Sequence, residues 1–265
     1  MFRDPAQVSP AARWLPLLHE IAEQADAIAL RHFLARALRV DVKRDASPVT
    51  EADRAIEAAA RTTVRSRHPE LGVVGEEAGE TRGDSDARLI IDPIDGTRNF
   101  VRGIPVFATL LAVEEAGAVV AGVVSAPALS RRWHAARGAG AFCGPRRLAV
   151  SAVGQLARAQ LFHGSVGGVG EGNPLPSVLT LAQRVERTRG FGDFYQHVLV
   201  AEGAGEIAVD PVMNPWDIAA PMVIVEEAGG RCTSLGGERT IYGGSLVSSN
   251  GVLHEEALRW LAVSG

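Results

Sequence analysis

The chain has 265 residues, a formal net charge of −4 and 46% hydrophobic residues. This is the composition of a globular protein with a sizeable core, and it gives no reason to expect nucleic acid or an anionic membrane as partner. The two cysteines, Cys143 and Cys232, have no histidine or second cysteine at metal-ligand spacing, which argues against a disulfide framework or a zinc site and suits a reducing cytoplasm. The opening MFRDPAQVSPAARW lacks an apolar signal segment, and no run of about 18 apolar residues occurs, so neither export nor a membrane span is expected.

Ser9-Pro10 reads as a helix start, and Leu15, Leu18, Ile21, Ala25, Ile28 and Ala29 recur at helical spacing, predicting a first helix to about Leu38. VDVKRDASP reads as a polar turn, and Thr50-Glu51-Ala52-Asp53 as a capping box opening a helix to about Arg67. LGVVGEE is a short strand ending in two glutamates, followed by GETRGDSD as a flexible loop. ARLII reads as the next strand, and its apolar run Leu89-Ile90-Ile91 predicts burial on both faces. FATLLAVEE and VVAGVVSAP form a hairpin, and RWHAARG, GAFC and RRLAV continue the antiparallel pattern. After about Ser151 helix and strand alternate: a strand in AQLFHGS, a Gly-rich loop, helices in PSVLTLAQRVERT and DFYQHVLVAEG, and a strand in EIAVDP. A helix in WDIAAPMVIVEEAGG, a strand near GSLVSSN and a helix in LHEEALRWLA follow. The expectation is an α+β N-terminal half over 1–150 and an α/β C-terminal half over 151–265, packed as one unit.

The segment LIIDPIDGTRNF drives a buried strand into Asp92 and Asp95, and isolated carboxylates near a core are costly to desolvate. Glu76 and Glu77 end the preceding strand, and Asp217 follows Pro215-Trp216 at a helix start. Taken singly, Asp217 can be a first-turn helix residue, Asp53 a capping-box partner and Glu76-Glu77 a solvated loop. The Asp92-Pro-Ile-Asp95-Gly-Thr run resists such a reading, because a turn needs the Asp-Gly but not the aspartate before the proline. If Glu76, Asp92, Asp95 and Asp217 converge, their repulsion calls for hard divalent cations, and an all-oxygen ligand set points to Mg²⁺ or Mn²⁺. Two or more such ions suit phosphoryl chemistry, one polarising the phosphate and another lowering the pKa of a water. Gly96 lets the backbone approach a phosphate closely, and N–H groups of a helix starting there would face it. The Asp-x-Asp-x-Thr nucleophile of haloacid-dehalogenase-type phosphatases has one residue between its aspartates, whereas this chain has two. Three steps along a regular strand would point Asp92 and Asp95 to opposite faces unless the chain turns at Pro93.

Gly75-Glu76-Glu77, Asp92-Pro-Ile-Asp-Gly-Thr97 and Trp216-Asp-Ile-Ala-Ala220, with Pro48-Val-Thr-Glu-Ala-Asp53 upstream, resemble the signatures of the inositol monophosphatase family in type and order. The resemblance implies a layered αβαβα sandwich, Mg²⁺-dependent hydrolysis of a small phosphomonoester and a homodimer. It implies that Glu76, Asp92 and the Ile94 carbonyl bind one metal, that Asp92, Asp95 and Asp217 bind a second, and that Glu76 with waters binds a weaker third. Thr97 paired with Asp53 would orient the attacking water, with Glu76 also in the catalytic group, and the N–H groups of Gly96 and Thr97 would hold the phosphate. Asp210 stands where the family carries an acid against the non-phosphate part of the substrate. The stretches Asn99–Gly103, Gly190–Phe194 and Leu199–Gly203 resemble the bacterial histidinol-phosphatase subgroup. An ammonium-bearing substrate suits a second acid, Asp193, near Asp210 better than a neutral polyol does, although Asp193 can also be a helix N-cap. The expected substrate is therefore L-histidinol phosphate. The alternatives are an inositol-1-phosphatase, a phosphatase with broad sugar-phosphate tolerance, and a non-catalytic phosphate- or metal-binding regulator.

Overall fold

The computed structural model describes residues 9–33, 40–42, 48–164 and 175–262. After a 3-10 turn at Pro10–Trp14, the chain forms α1 (Leu15–Phe33), β1 (Val40–Val42), β2 (Pro48–Thr50), α2 (Glu51–Arg67), β3 (Gly72–Gly75) and β4 (Gly79–Thr81). Next come β5 (Ala87–Asp95), the short α3 (Thr97–Val101), β6 (Ala108–Glu115), β7 (Ala118–Ala126), β8 (Arg131–Ala136), β9 (Gly140–Cys143) and β10 (Arg146–Arg147). The remainder is β11 (Gln160–His163), α4 (Leu175–Ala182), β12 (Arg187–Gly190), α5 (Asp193–Ala201), β13 (Ile207–Asp210), α6 (Pro215–Glu227), β14 (Arg231–Thr233), β15 (Leu246–Ser249) and α7 (His254–Leu261).

Side-chain alternation along the strands sorts these elements into five layers. In the eight-stranded sheet, ordered β10-β9-β8-β7-β6-β5-β3-β4, Leu89, Ile91, Leu111 and Val113 face one way and pack on Leu18 and Ile21 of α1 and Ile56 of α2. From the opposite face Ile90, Leu110 and Ala112 meet Val198 of α5 and Ile218 and Met222 of α6. That same cluster takes in Phe162 and Ala208 from the five-stranded sheet, ordered β12-β11-β13-β15-β14. Leu161, Ile207, Val209 and Val247 face outward from this second sheet onto Val178 and Leu181 of α4 and Ala257 and Leu261 of α7. The result is an αβαβα sandwich. Because β5 lies between two helical layers, Leu89, Ile90 and Ile91 have no solvated face, which explains their apolar run, while Arg88 before them is partly exposed.

VDVKRDASP, expected as a polar turn, opens with β1 and ends on the first residue of β2, and the two strands pair antiparallel, with residues 43–47 outside the described set. The expected loop GETRGDSD begins with β4, and the expected helix PSVLTLAQRVERT stops at Ala182 and gives way to β12. Both strands lie at sheet edges with mostly exposed side chains, so backbone pairing rather than apolar burial holds them. β14 was not anticipated. The end of the expected first helix, to Leu38, and most of the Gly-rich loop after His163 lie outside the described residues.

Candidate metal centre

The two aspartates of the DPID run are set by an irregularity in β5 rather than by a chain turn. Asp92 pairs with Leu110 and Asp95 with Ala108, so three steps on β5 oppose two on β6. One extra residue is a β-bulge, and it restores the side-chain phase that a regular strand would have broken. The Pro93 carbonyl accepts a 2.8 Å hydrogen bond from Thr109 Oγ1. Ligand oxygens of Asp92, Asp95 and Asp217 therefore lie within 4.8 Å of one another. Asp217 arrives from the first turn of α6, where its Oδ2 accepts from the Asn214 backbone at 2.7 Å.

Asp92 and Asp95 are only 2% and 8% exposed. Burial raises the Asp92 carboxyl well above the ordinary carboxylate range, and repulsion from Glu76, Asp95 and Asp217 raises it further. Burial likewise raises Asp95 well above that range, with Asp193 and Asp217 adding to it. Asp217 is pushed up to about 6, chiefly by burial. Glu76 stands outside the three-residue group, yet its charge also acts on Asp92. The buried Asp92 Oδ1 has no hydrogen-bond partner. An unsatisfied carboxylate oxygen among like charges is a donor set suited to a hard divalent cation, so the residues fit Mg²⁺ or Mn²⁺.

Asp53 forms the expected capping box: its Oδ2 accepts from Thr50 N at 2.8 Å and from Thr50 Oγ1 at 2.6 Å. Burial pushes its carboxyl up to about 6. The expected pairing of Thr97 with Asp53 is not present; Thr97 Oγ1 donates instead to the Ile94 carbonyl at 2.8 Å. That carbonyl lies three residues before Thr97, across the turn into α3. Gly96 is the N-cap of α3 with φ of 81°, a left-handed conformation that favours glycine. A Cβ there would approach Val106 O to 3.0 Å and Asp193 Oδ2 to 3.3 Å.

Asp193 is not an N-cap, since Gly192 holds that position and Asp193 opens α5 with φ of 52°. Such a backbone is uncommon for a side-chain-bearing residue, though aspartate tolerates it better than most. Asp193 Oδ2 accepts from Asn99 Nδ2 at 3.2 Å, and burial pushes its carboxyl up to about 6, opposed by the Arg98 charge. The next amide, Phe194 N, donates to Asp95 Oδ2 at 2.6 Å. Asp193 thus borders Asp95 and Gly96. Asp210, at the end of β13, accepts from the buried Gln196 Nε2 at 2.8 Å and also acts on Asp95. Asn99 in α3 and Gln196 in α5 are supports that the sequence does not mark, because a single amide within a helix carries no distinctive spacing.

Residues 12–262 match the model of the inositol monophosphatase family. A histidinol-phosphatase of Mycobacterium tuberculosis is 47% identical, covering 92% of this chain and 96% of that protein. A histidinol-phosphatase of Streptomyces coelicolor is 43% identical, covering 93% and 96%. Among solved structures, the extragenic suppressor protein suhB of Bartonella henselae superposes with a TM-score of 0.89 at 30% identity, covering 96% of this chain and 100% of that one. The chain belongs to the inositol monophosphatase family, and it is a phosphatase.

Proposed function

We propose that this phosphatase is Mg²⁺-dependent and hydrolyses L-histidinol phosphate to L-histidinol and phosphate. The observation that carries the metal dependence is the buried triad of Asp92, Asp95 and Asp217, with Asp92 Oδ1 lacking any partner. Glu76, Asp92, Asp95, Asp217 and the Ile94 carbonyl would hold the ions; that carbonyl keeps a second lone pair beside its bond from Thr97. When bound, Mg²⁺ supplies neutralisation of the phosphate charge and polarisation of its oxygens. Thr97 Oγ1 has committed its proton to Ile94, so toward a water it can only accept, which orients that water's oxygen lone pairs away from it. Asp53 anchors the start of α2 beside this group. The N–H groups of Gly96 and Thr97 are assigned to the phosphate. In this reading residues 1–150 supply most metal ligands, residues 151–265 complete the site with Asp193, Asp210 and Asp217, and the protein works as a cytoplasmic homodimer. Among the described residues no helix is long and apolar enough to cross a membrane.

The substrate assignment rests on the surplus of acid together with the two relatives named histidinol-phosphatase. Once metals have taken up the triad, Asp193 and Asp210 still offer negative charge, which favours a substrate carrying an ammonium and an imidazole over a neutral polyol. A charge-assisted bond shielded from water is worth about 1.5–3 kcal/mol. Asp193→Asn should therefore lower kcat/KM on histidinol phosphate by about 10- to 100-fold and change the rate on inositol 1-phosphate little. The selectivity ratio cancels general damage to fold or metals. Equal losses on both substrates would remove Asp193 from substrate recognition.

A further inference from the structure

The residues that hold Glu76 in place are themselves unassigned. β3 and β4 pair out to Gly75 and Gly79, leaving Glu76, Glu77 and Ala78 as a three-residue hairpin loop closed by the left-handed Gly79, φ 70°. A tip this short, near the surface, has few ways to satisfy its amides. Glu76 N donates to the Ile91 carbonyl of β5 at 3.3 Å. The other two amides converge on one side chain of another element. Glu77 N donates to Glu57 Oε2 at 2.8 Å, and Ala78 N to Glu57 Oε1 at 3.1 Å.

Glu57 lies on α2, one turn beyond Asp53, and is only 1% exposed. A buried carboxylate is tolerated only when paired and hydrogen-bonded. Besides the two amides, its partner is Arg61 one turn further on, at 2.7 Å. Arg61 in turn donates to Gly79 O at 2.5 Å and to Thr81 Oγ1 at 2.9 Å on β4. The pair therefore grips both the tip and the return strand of the hairpin. Gly75 is shaped to this contact: a Cβ there would sit 2.2 Å from Glu57 Oε1.

We infer that Glu57 is a positioning residue for the metal centre: its carboxylate fixes the hairpin tip, and so the place of Glu76, before any ion arrives. This rests on the reading of Glu76 as a Mg²⁺ ligand. Residues that orient metal ligands typically change metal affinity by about 10- to 100-fold when replaced. Glu57→Gln keeps the volume and one acceptor but turns an N–H₂ toward one of the two amides. Its Mg²⁺ dissociation constant, measured by calorimetry on folded protein, should rise by about 10-fold or more, while kcat at saturating Mg²⁺ recovers toward wild type. Gly75→Ala, which displaces the carboxylate without deleting it, should do the same.

In wild-type protein stripped of metal, the Glu77 and Ala78 amides should be protected from hydrogen exchange, because Glu57 rather than the ion holds them. This needs no variant to fold. Exchange of those amides at the rate of an open loop, or a folded Glu57→Gln with Mg²⁺ affinity within about twofold of wild type, would overturn the inference. Glu76→Gln is the control: if it leaves Mg²⁺ affinity unchanged, the assignment of Glu76 fails; if it weakens binding while Glu57→Gln does not, only the positioning role fails.

Discussion

Asp92→Asn should abolish measurable turnover while leaving the protein folded. Asp92 is the centre of the acid group: Glu76, Asp95 and Asp217 all act on it, and its Oδ1 is buried without a partner. Replacing it removes charge from the point where both ions are assigned, and loss of a charge-stabilising group costs on the order of 10²-fold or more in kcat. Stability should move the other way. The metal-free wild type keeps repelling carboxyls in a buried site, so the neutral amide should raise its melting temperature. Steady-state rates at saturating Mg²⁺, with melting curves in chelator, check both halves. A variant retaining more than about a tenth of the wild-type rate would contradict a bridging role for Asp92.

Mg²⁺ should stabilise the protein more at pH 7 than at pH 5, because it binds carboxyls that the metal-free fold holds partly protonated. Burial and mutual repulsion raise Asp92 and Asp95 well above the ordinary range and put Asp53, Asp193 and Asp217 at about 6. A carboxyl with a raised folded-state pKa keeps a proton that the unfolded chain has shed, so metal-free stability declines with pH up to the folded value. Three histidines, His197 and His254 buried and His134 half-buried, act in a different window. Burial depresses His134 and His254 to about 4 and His197 to about 3, so they destabilise the fold only as pH falls below about 6.5. The histidines contribute equally with and without metal, so the gain on adding Mg²⁺ isolates the metal-site carboxyls, of which Asp217 titrates at about 6. Mg²⁺ binds their ionised form, and at a hundredfold excess over its dissociation constant it adds about 2.7 kcal/mol. The gain in melting temperature on adding Mg²⁺, relative to chelator at the same pH, should be larger at pH 7 than at pH 5. A gain independent of pH would detach the metal from these carboxyls.

What could be read from the sequence follows what burial imprints on it. α2 was bounded correctly because Thr50 and Asp53 carry a capping box at its start. β5 was legible because both its faces are covered, but its extension through Asp95 was not. Pro93 signalled a departure from regular pairing, and only the ladder opposite shows whether that departure is a turn or a bulge. β4 and β12 were missed because edge pairing leaves no hydrophobic period. The acids of the site were found by their pattern, whereas their supports were not. Glu57 lies four residues after Asp53 on the same helix, a spacing that shares a face, yet charged residues at that spacing are common on any solvated helix. Its burial, not its spacing, separates it from them.

The most direct test of the assignment is kcat/KM for L-histidinol phosphate against inositol 1-phosphate, measured on the same preparation with Mg²⁺ and again in chelator. The surplus acids Asp193 and Asp210 predict a preference for histidinol phosphate of about 10-fold or more, consistent with one shielded charge-assisted bond, and loss of both activities without metal. Equal or better hydrolysis of inositol 1-phosphate would contradict the substrate, and undiminished turnover in chelator would contradict the metal dependence.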